Sequence, residues 1–202
     1  MEKLVEQSVE TEQKTKKSPA PFVDIEPRYE KIDGVLYLMA PSPSAKHQKL
    51  LGNLHFLIRS QLKNKNCEIN IAPLDVYLQD DKDSCVQPDL FAVCDKPKFK
   101  LNGYHGVPPF IIEIVSKFNS SHDMFRKRNK YAQVGVSEYW IVNPGDCTVL
   151  KLILNGNEYD EGREEVFALD YEAGSDEQTI TSEVLKITLN MADIFEGVED
   201  IK

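Results

Sequence analysis

Cysteine is scarce in this 202-residue chain. Cys67, Cys85, Cys94 and Cys147 form no C-x-x-C pair, which argues against a zinc site and predicts reduced, packed thiols. Long apolar runs are missing too. None approaches the roughly 20 residues that cross a bilayer, and no apolar signal core stands at the N-terminus. The expectation is a cytoplasmic protein with no membrane association. There is no P-loop, no dinucleotide-binding glycine motif and no Ser-His-Asp order, which argues against nucleotide-driven chemistry and acyl transfer. Internal repeats and an interdomain linker are also lacking. With 41% hydrophobic and 28% charged residues, the chain reads as one domain over 21–202 behind a polar tail, 1–20, expected to be disordered.

The net charge of −9 would seem to exclude nucleic acid, but its distribution does not. Residues 31–154 hold 16 basic and 12 acidic side chains, whereas 155–202 hold 3 and 14. Arg126, Lys127, Arg128 and Lys130 cluster on one predicted helix. Such a cluster suits phosphate binding, and equally suits a plain solvated face.

The chain is organised around Val107–Pro144. Phe110–Val115 is short and β-branched and reads as a buried strand carrying one acid, Glu113. A helix capped by Ser120 or Ser121, with Asp123 in its first turn, runs to about Val134, and Gly135 ends it. Glu138–Val142 follows as a second strand. Strand, helix, strand makes a crossover unit, right-handed as such units are, with both strands in one sheet.

Upstream, Tyr29–Ile32 and Val35–Met39 flank Asp33-Gly34, a strong hairpin signal. Ser44 can cap a helix to about Lys65, with Leu50, Leu51, Leu54, Leu57, Ile58 and Leu62 at helical spacing. Glu68–Gln79 is expected as one strand, Asp80–Asp83 as a turn, Val86–Cys94 as a strand broken near Pro88, and Lys96–Gly106 as a loop. Downstream come strands at Thr148–Leu154, Glu165–Leu169 and Thr179–Val184, a turn at Asn155-Gly156-Asn157, and a helical turn near Ala192–Phe195. This last third is expected to be antiparallel and peripheral. From residue 44 the order is helix, three strands, helix, strand: an α/β fold with a mixed central sheet flanked by helices.

Chemistry concentrates at few positions. A carboxylate inside an aliphatic strand costs several kcal/mol unless paired or metal-bound, so Glu113 is the leading candidate. Asp89 follows Pro88 at the start of the preceding strand; if the strands pair, the two acids converge. Together they could hold Mg²⁺, which takes one or two protein carboxylates plus water and substrate phosphate. Asp89 could instead cap its own turn. Lys127 shares a helix face with Asp123 and Tyr131, either as an i,i+4 ion pair with Asp123 or aimed at the acidic site. His47 is expected to be solvent-exposed or to cap the helix N-terminus.

Taken together, Tyr29-Glu30 with Asp33-Gly34, Pro41–His47, Gln87-Pro88-Asp89, Glu113–Ser116, Asp123 with Lys127 and Tyr131, and Gly135-Val136 with Glu138-Tyr139-Trp140 resemble the PD-(D/E)XK nuclease superfamily. The match is closest to a bacterial restriction endonuclease-like family of largely unknown function and spans roughly 25–195. The resemblance implies a restriction endonuclease-like core with an added N-terminal hairpin and C-terminal antiparallel strands. It implies that Asp89, Glu113 and the Ile114 carbonyl ligate Mg²⁺ or Mn²⁺, with Glu30 as a further acid near the metal. The superfamily's lysine belongs two residues after the glutamate, where this chain has Val115; Lys127 resembles a migrated replacement.

The expected activity is metal-dependent hydrolysis of DNA phosphodiester bonds, with DNA as partner, Lys127 positioning water, and a homodimer compatible with it. Two rivals stay open: a nuclease-like binding module that does not cut, and an interaction protein working through its acidic last third.

Overall fold

Asp33 and Gly34 take φ of 50° and 81°, the two left-handed positions a tight hairpin turn needs, and join β1 (Tyr29–Ile32) to β2 (Val35–Leu38). The computed structural model describes residues 28–39, 42–78, 83–115, 121–159, 164–170 and 178–201, with the side chains of 121–123 outside that description. The expected tail, the Ser120 cap and the turn at 80–82 therefore lie outside the described residues.

Ser44 caps α1 (Ala45–Leu62) by accepting from the His47 amide at 3.2 Å. Next come β3 (Glu68–Ile71), β4 (Val76–Tyr77), β5 (Cys85–Val86), β6 (Leu90–Val93), a 3-10 turn at Lys96–Lys98, β7 (Phe99–Lys100), β8 (Gly103–His105) and β9 (Phe110–Ile114). Then α2 (Ser121–Val134) leads to β10 (Glu138–Asn143), β11 (Thr148–Asn155), β12 (Glu158–Tyr159), β13 (Glu165–Ala168), β14 (Thr179–Ser182), β15 (Ile187–Asn190) and α3 (Met191–Phe195).

Two sheets divide these strands. The main sheet runs β12-β11-β10-β9-β6-β3, with β13 also on β11; β9 and β10 are parallel across α2, and β6 pairs antiparallel with β9. The smaller sheet runs β2-β1-β5-β4-β8-β7. Strand β9 is buried along its whole length. Its Phe110, Ile112 and Ile114 pack with Leu54 and Ile58 of α1, and its Ile111 packs on the opposite face with Tyr131, Tyr139 and Tyr104.

Four expectations need correction. Residues 68–79 are not one strand: Pro73, which has no N–H to donate and follows a cis peptide, separates β3 in the main sheet from β4 in the smaller one. The stretch 96–106 holds the hairpin β7–β8 rather than a loop. The last third is not peripheral. The β14–β15 pair and α3 close the core over α1, burying Ile180, Leu189 and Phe195, and Asn53 Nδ2 donates to the Ile194 and Glu196 carbonyls at 3.0 Å each.

Finally, the thiols are not all reduced. Cys67 and Cys94 form a disulfide, while Cys85 and Cys147 are in none. The antiparallel register of β3 and β6, Glu68 against Val93, brings the flanking Cys67 and Cys94 together with Cα atoms 4.0 Å apart. Strand register, invisible in the spacing of the cysteines, makes that pair. No helix among the described residues is long and apolar enough to cross a membrane.

Candidate active site

The chain crosses from the smaller sheet to the main one at Gln87-Pro88-Asp89, between β5 and β6, and the candidate residues meet at that crossing. Leu90 pairs with Ile112, so one step further along the ladder sets Asp89 beside Glu113. Asp89 does not cap its own turn. Its Oδ2 accepts from the Ile114 amide at 2.8 Å, and its Oδ1 lies 3.1 Å from His47 Nε2.

Glu113 alternates off the α1 side of β9 and is 7% exposed. Its Oε1 receives Lys127 Nζ at 3.0 Å and the Tyr131 hydroxyl at 2.8 Å. Those two residues sit one helical turn apart on α2, as their shared face predicts. Lys127, also 7% exposed, reaches Glu30 Oε2 of β1 at 2.9 Å as well. Glu30 is fixed in turn, its Oε1 accepting from the Gln87 amide at 2.8 Å. The structure thus brings Glu30, Asp89, Glu113 and Lys127 together, with the Ile114 backbone alongside. Asp123 lies in the first turn of α2, but its side chain is outside the described residues.

Electrostatics follow from burial and crowding. Burial pushes the Glu113 carboxyl up to about 8, helped by Asp89 and Glu30 and opposed by Lys127. Burial also disfavours the charge on Lys127, but Glu113 and Glu30 outweigh it and raise its pKa. The Tyr131 phenol, raised by burial and then by Glu113, stays a hydrogen-bond donor.

His47 is neither exposed nor a cap through its side chain. It is 6% exposed with its ring against Asp89, and only its backbone amide serves the helix start. The signal was available: 47, 50, 51, 54 and 58 form one stripe at helical spacing. Tyr131 could be found the same way. Gln87 and Asp75 carry no such sequence signal. Gln87 donates from Nε2 to Asp75 Oδ1 at 2.7 Å and accepts from Arg28 at Oε1.

The basic cluster of α2 is spoken for internally. Arg126 stacks on the Tyr37 ring with its guanidinium carbon 3.7 Å from the centroid. Arg128 pairs with Glu164, and Lys130 lies 2.6 Å from Asp33. It is therefore not simply a solvated face.

Whether these groups suit a divalent cation turns on donor chemistry and charge. The carboxylates of Asp89 and Glu113 and the Ile114 carbonyl are hard oxygen donors of the kind Mg²⁺ and Mn²⁺ take. Three acids stand against one amine and one imidazole. No three His, Cys, Asp or Glu side chains among the described residues form a ready-made cage, so the fit rests on the two carboxylates with water completing the shell. On those terms the donor set fits.

The order α1, β3, β6, β9, α2, β10 with its mixed sheet is the restriction endonuclease-like core. A model of the Uma2 family, described as "Putative restriction endonuclease", matches residues 19–191, and the chain belongs to that family. Among solved structures it is similar to a putative nuclease belonging to DUF820 from Anabaena variabilis ATCC 29413. That likeness has a TM-score of 0.65 and 20% identity and covers 86% of this chain and 93% of the other, so the two share the fold. No curated protein matches.

Proposed function

We propose that this protein is a metal-dependent deoxyribonuclease, hydrolysing DNA phosphodiester bonds with Mg²⁺ or Mn²⁺. The observation that carries the reading is Lys127 Nζ held 3.0 Å from Glu113, beside Asp89, inside an otherwise apolar core. Buried acids and a buried amine cost stability, and a fold that gathers them at one end of its sheet uses them. The family's description, "Putative restriction endonuclease", and that of the similar Anabaena protein, "a putative nuclease", support the same class.

Asp89, Glu113 and the Ile114 carbonyl would hold the cation, with Glu30 as a further acid. When bound, such a cation lowers the pKa of water and offsets charge on the phosphoryl oxygens. Lys127 offers a permanent cation to orient the attacking water and to balance phosphate charge. Tyr131 and Glu30 fix where that amine sits, since each shares a hydrogen-bonding partner with it or bonds it directly. Burial of these groups excludes bulk water and strengthens each contact.

The test is Mg²⁺- or Mn²⁺-dependent cleavage of DNA by wild type, Glu113→Ala and Lys127→Ala. Loss of cleavage in both variants, each shown folded, is expected. Equal cleavage by all three would reject the assignment, and DNA binding without products or metal dependence would leave a binding module.

A further inference from the structure

We propose that His47 is a positioning residue that fixes the Asp89 carboxylate for a divalent cation, an inference that rests on the metal-dependent reading above. Asp89 is held from two sides by two elements. Strand β9 holds Oδ2 through the Ile114 amide at 2.8 Å, and helix α1 meets Oδ1 through His47 Nε2 at 3.1 Å. Oδ2 accepts one hydrogen bond, Oδ1 has the imidazole 3.1 Å away, and both keep further lone-pair capacity for a cation. A carboxylate gripped at one oxygen can still swing about its Cβ–Cγ bond; gripped at both, its plane is set.

The ring is itself set rigidly. His47 sits in the first turn of α1, where Ser44 Oγ takes its amide at 3.2 Å and the Ser44 carbonyl takes the Gln48 amide at 3.0 Å. The side chain shares the buried stripe of Leu50, Leu51 and Leu54. Its second nitrogen, Nδ1, is buried without a hydrogen-bond partner. An aliphatic residue would fill that place without leaving a nitrogen unpaired, so packing alone does not account for an imidazole there. What accounts for it is the contact Nε2 makes with Asp89.

Groups that orient a metal-binding side chain typically change metal affinity about 10–100-fold when removed. The experiment titrates Mn²⁺ alone, with no DNA, into the full chain, read by calorimetry or by the spectrum of bound Mn²⁺. Wild type is expected to bind, Asp89→Asn to lose binding, and His47→Leu to bind about 10–100-fold more weakly. His47→Gln, whose amide nitrogen can stand near Nε2, is expected to stay within about threefold of wild type. His47→Asn, polar but one bond shorter, is expected to weaken as leucine does, and carries the comparison if the leucine variant fails to fold. A role in packing alone would not separate Gln from Asn. Mn²⁺ affinity in His47→Leu or His47→Asn equal to wild type, or in His47→Gln as low as in His47→Asn, overturns this proposal while the metal reading stands. Absence of any Mn²⁺ binding that Asp89→Asn removes overturns both.

Discussion

Lys127 on α2 and Glu30 on β1 meet at 2.9 Å across the gap between the two sheets, and the same amine contacts Glu113 at 3.0 Å. One cation therefore ties the N-terminal hairpin to the central strand. Removing it leaves the Glu30 carboxylate and the Glu113 carboxyl buried without their amine, and breaking a buried pair from one side costs about 3–5 kcal/mol. Lys127→Ala is expected to lose about that much in urea denaturation at neutral pH without metal. Glu30→Gln added to it should recover part of the loss, because one unbalanced charge goes. Additive losses in the double variant would show that the amine does not balance these acids.

The raised pKa of Glu113 gives a pH dependence of definite sign. Its carboxyl titrates near 4.5 when unfolded and at about 8 when folded, so between those values the folded state holds the extra proton. Stability then falls as pH rises through that window, by at most about 1.4 kcal/mol per unit, and levels off above it. The raised Lys127 keeps its proton across the same range and adds no slope there. Denaturation of metal-free wild type and Glu113→Gln at pH 5.5, 6.5 and 7.5 checks this. The variant is expected to show a shallower decline, and parallel curves would refute it.

How much of this is legible in the sequence depends on whether the signal is local. The hairpin at Asp33-Gly34, the stripe of α1, the strand of Glu113 and the helix ending at Gly135 are all written in consecutive residues, and the structure has them. Asp89 and Glu113 can be paired because adjacent strands usually neighbour each other. Long-range register is not legible. The Cys67–Cys94 bridge, the split of 68–79 between two sheets and the closing of the core by β14, β15 and α3 all depend on which strands find each other. His47 lies in plain periodicity, but a polar residue on an apolar stripe reads as surface. Glu113 and Glu138 look alike in sequence, each an acid in an apolar strand, and only their surroundings separate an amine-bearing pocket from a structural clasp.

Gly103 supports the site from a distance. Its φ is 137°, and a Cβ there would lie 2.4 Å from the Asp75 carbonyl oxygen. Asp75 in turn holds the Gln87 side chain at 2.7 Å, next to Pro88-Asp89. Gly103→Ala must push that backbone away and is expected to cost about 1–3 kcal/mol, with a matching drop in DNA cleavage per folded molecule. Gly156→Asn serves as the control: its φ of 67° is also left-handed, but nothing lies within 4 Å of its Cβ. The control should shift the urea midpoint little and leave cleavage unchanged. Equal effects from the two would deny the Asp75 contact its role.

Glu138 makes the complementary case, an acid whose work is structural. It is fully buried and accepts from Trp140 Nε1 at 2.7 Å, from Ser182 Oγ at 3.0 Å and from the Val184 amide at 3.0 Å. Burial raises its pKa against the pull of those donors and of Lys151. These bonds clasp the β14–β15 unit to the start of β10. Glu138→Ala orphans all three donors at about 1–3 kcal/mol each, so a loss of at least about 3 kcal/mol is expected. Mn²⁺ affinity of the folded fraction should not change, whereas Asp89→Asn should abolish it with little loss of stability. That pair of measurements separates Glu138 from Asp89 by function: a Glu138 variant that folds normally yet binds no Mn²⁺ would place the site on the wrong carboxylates.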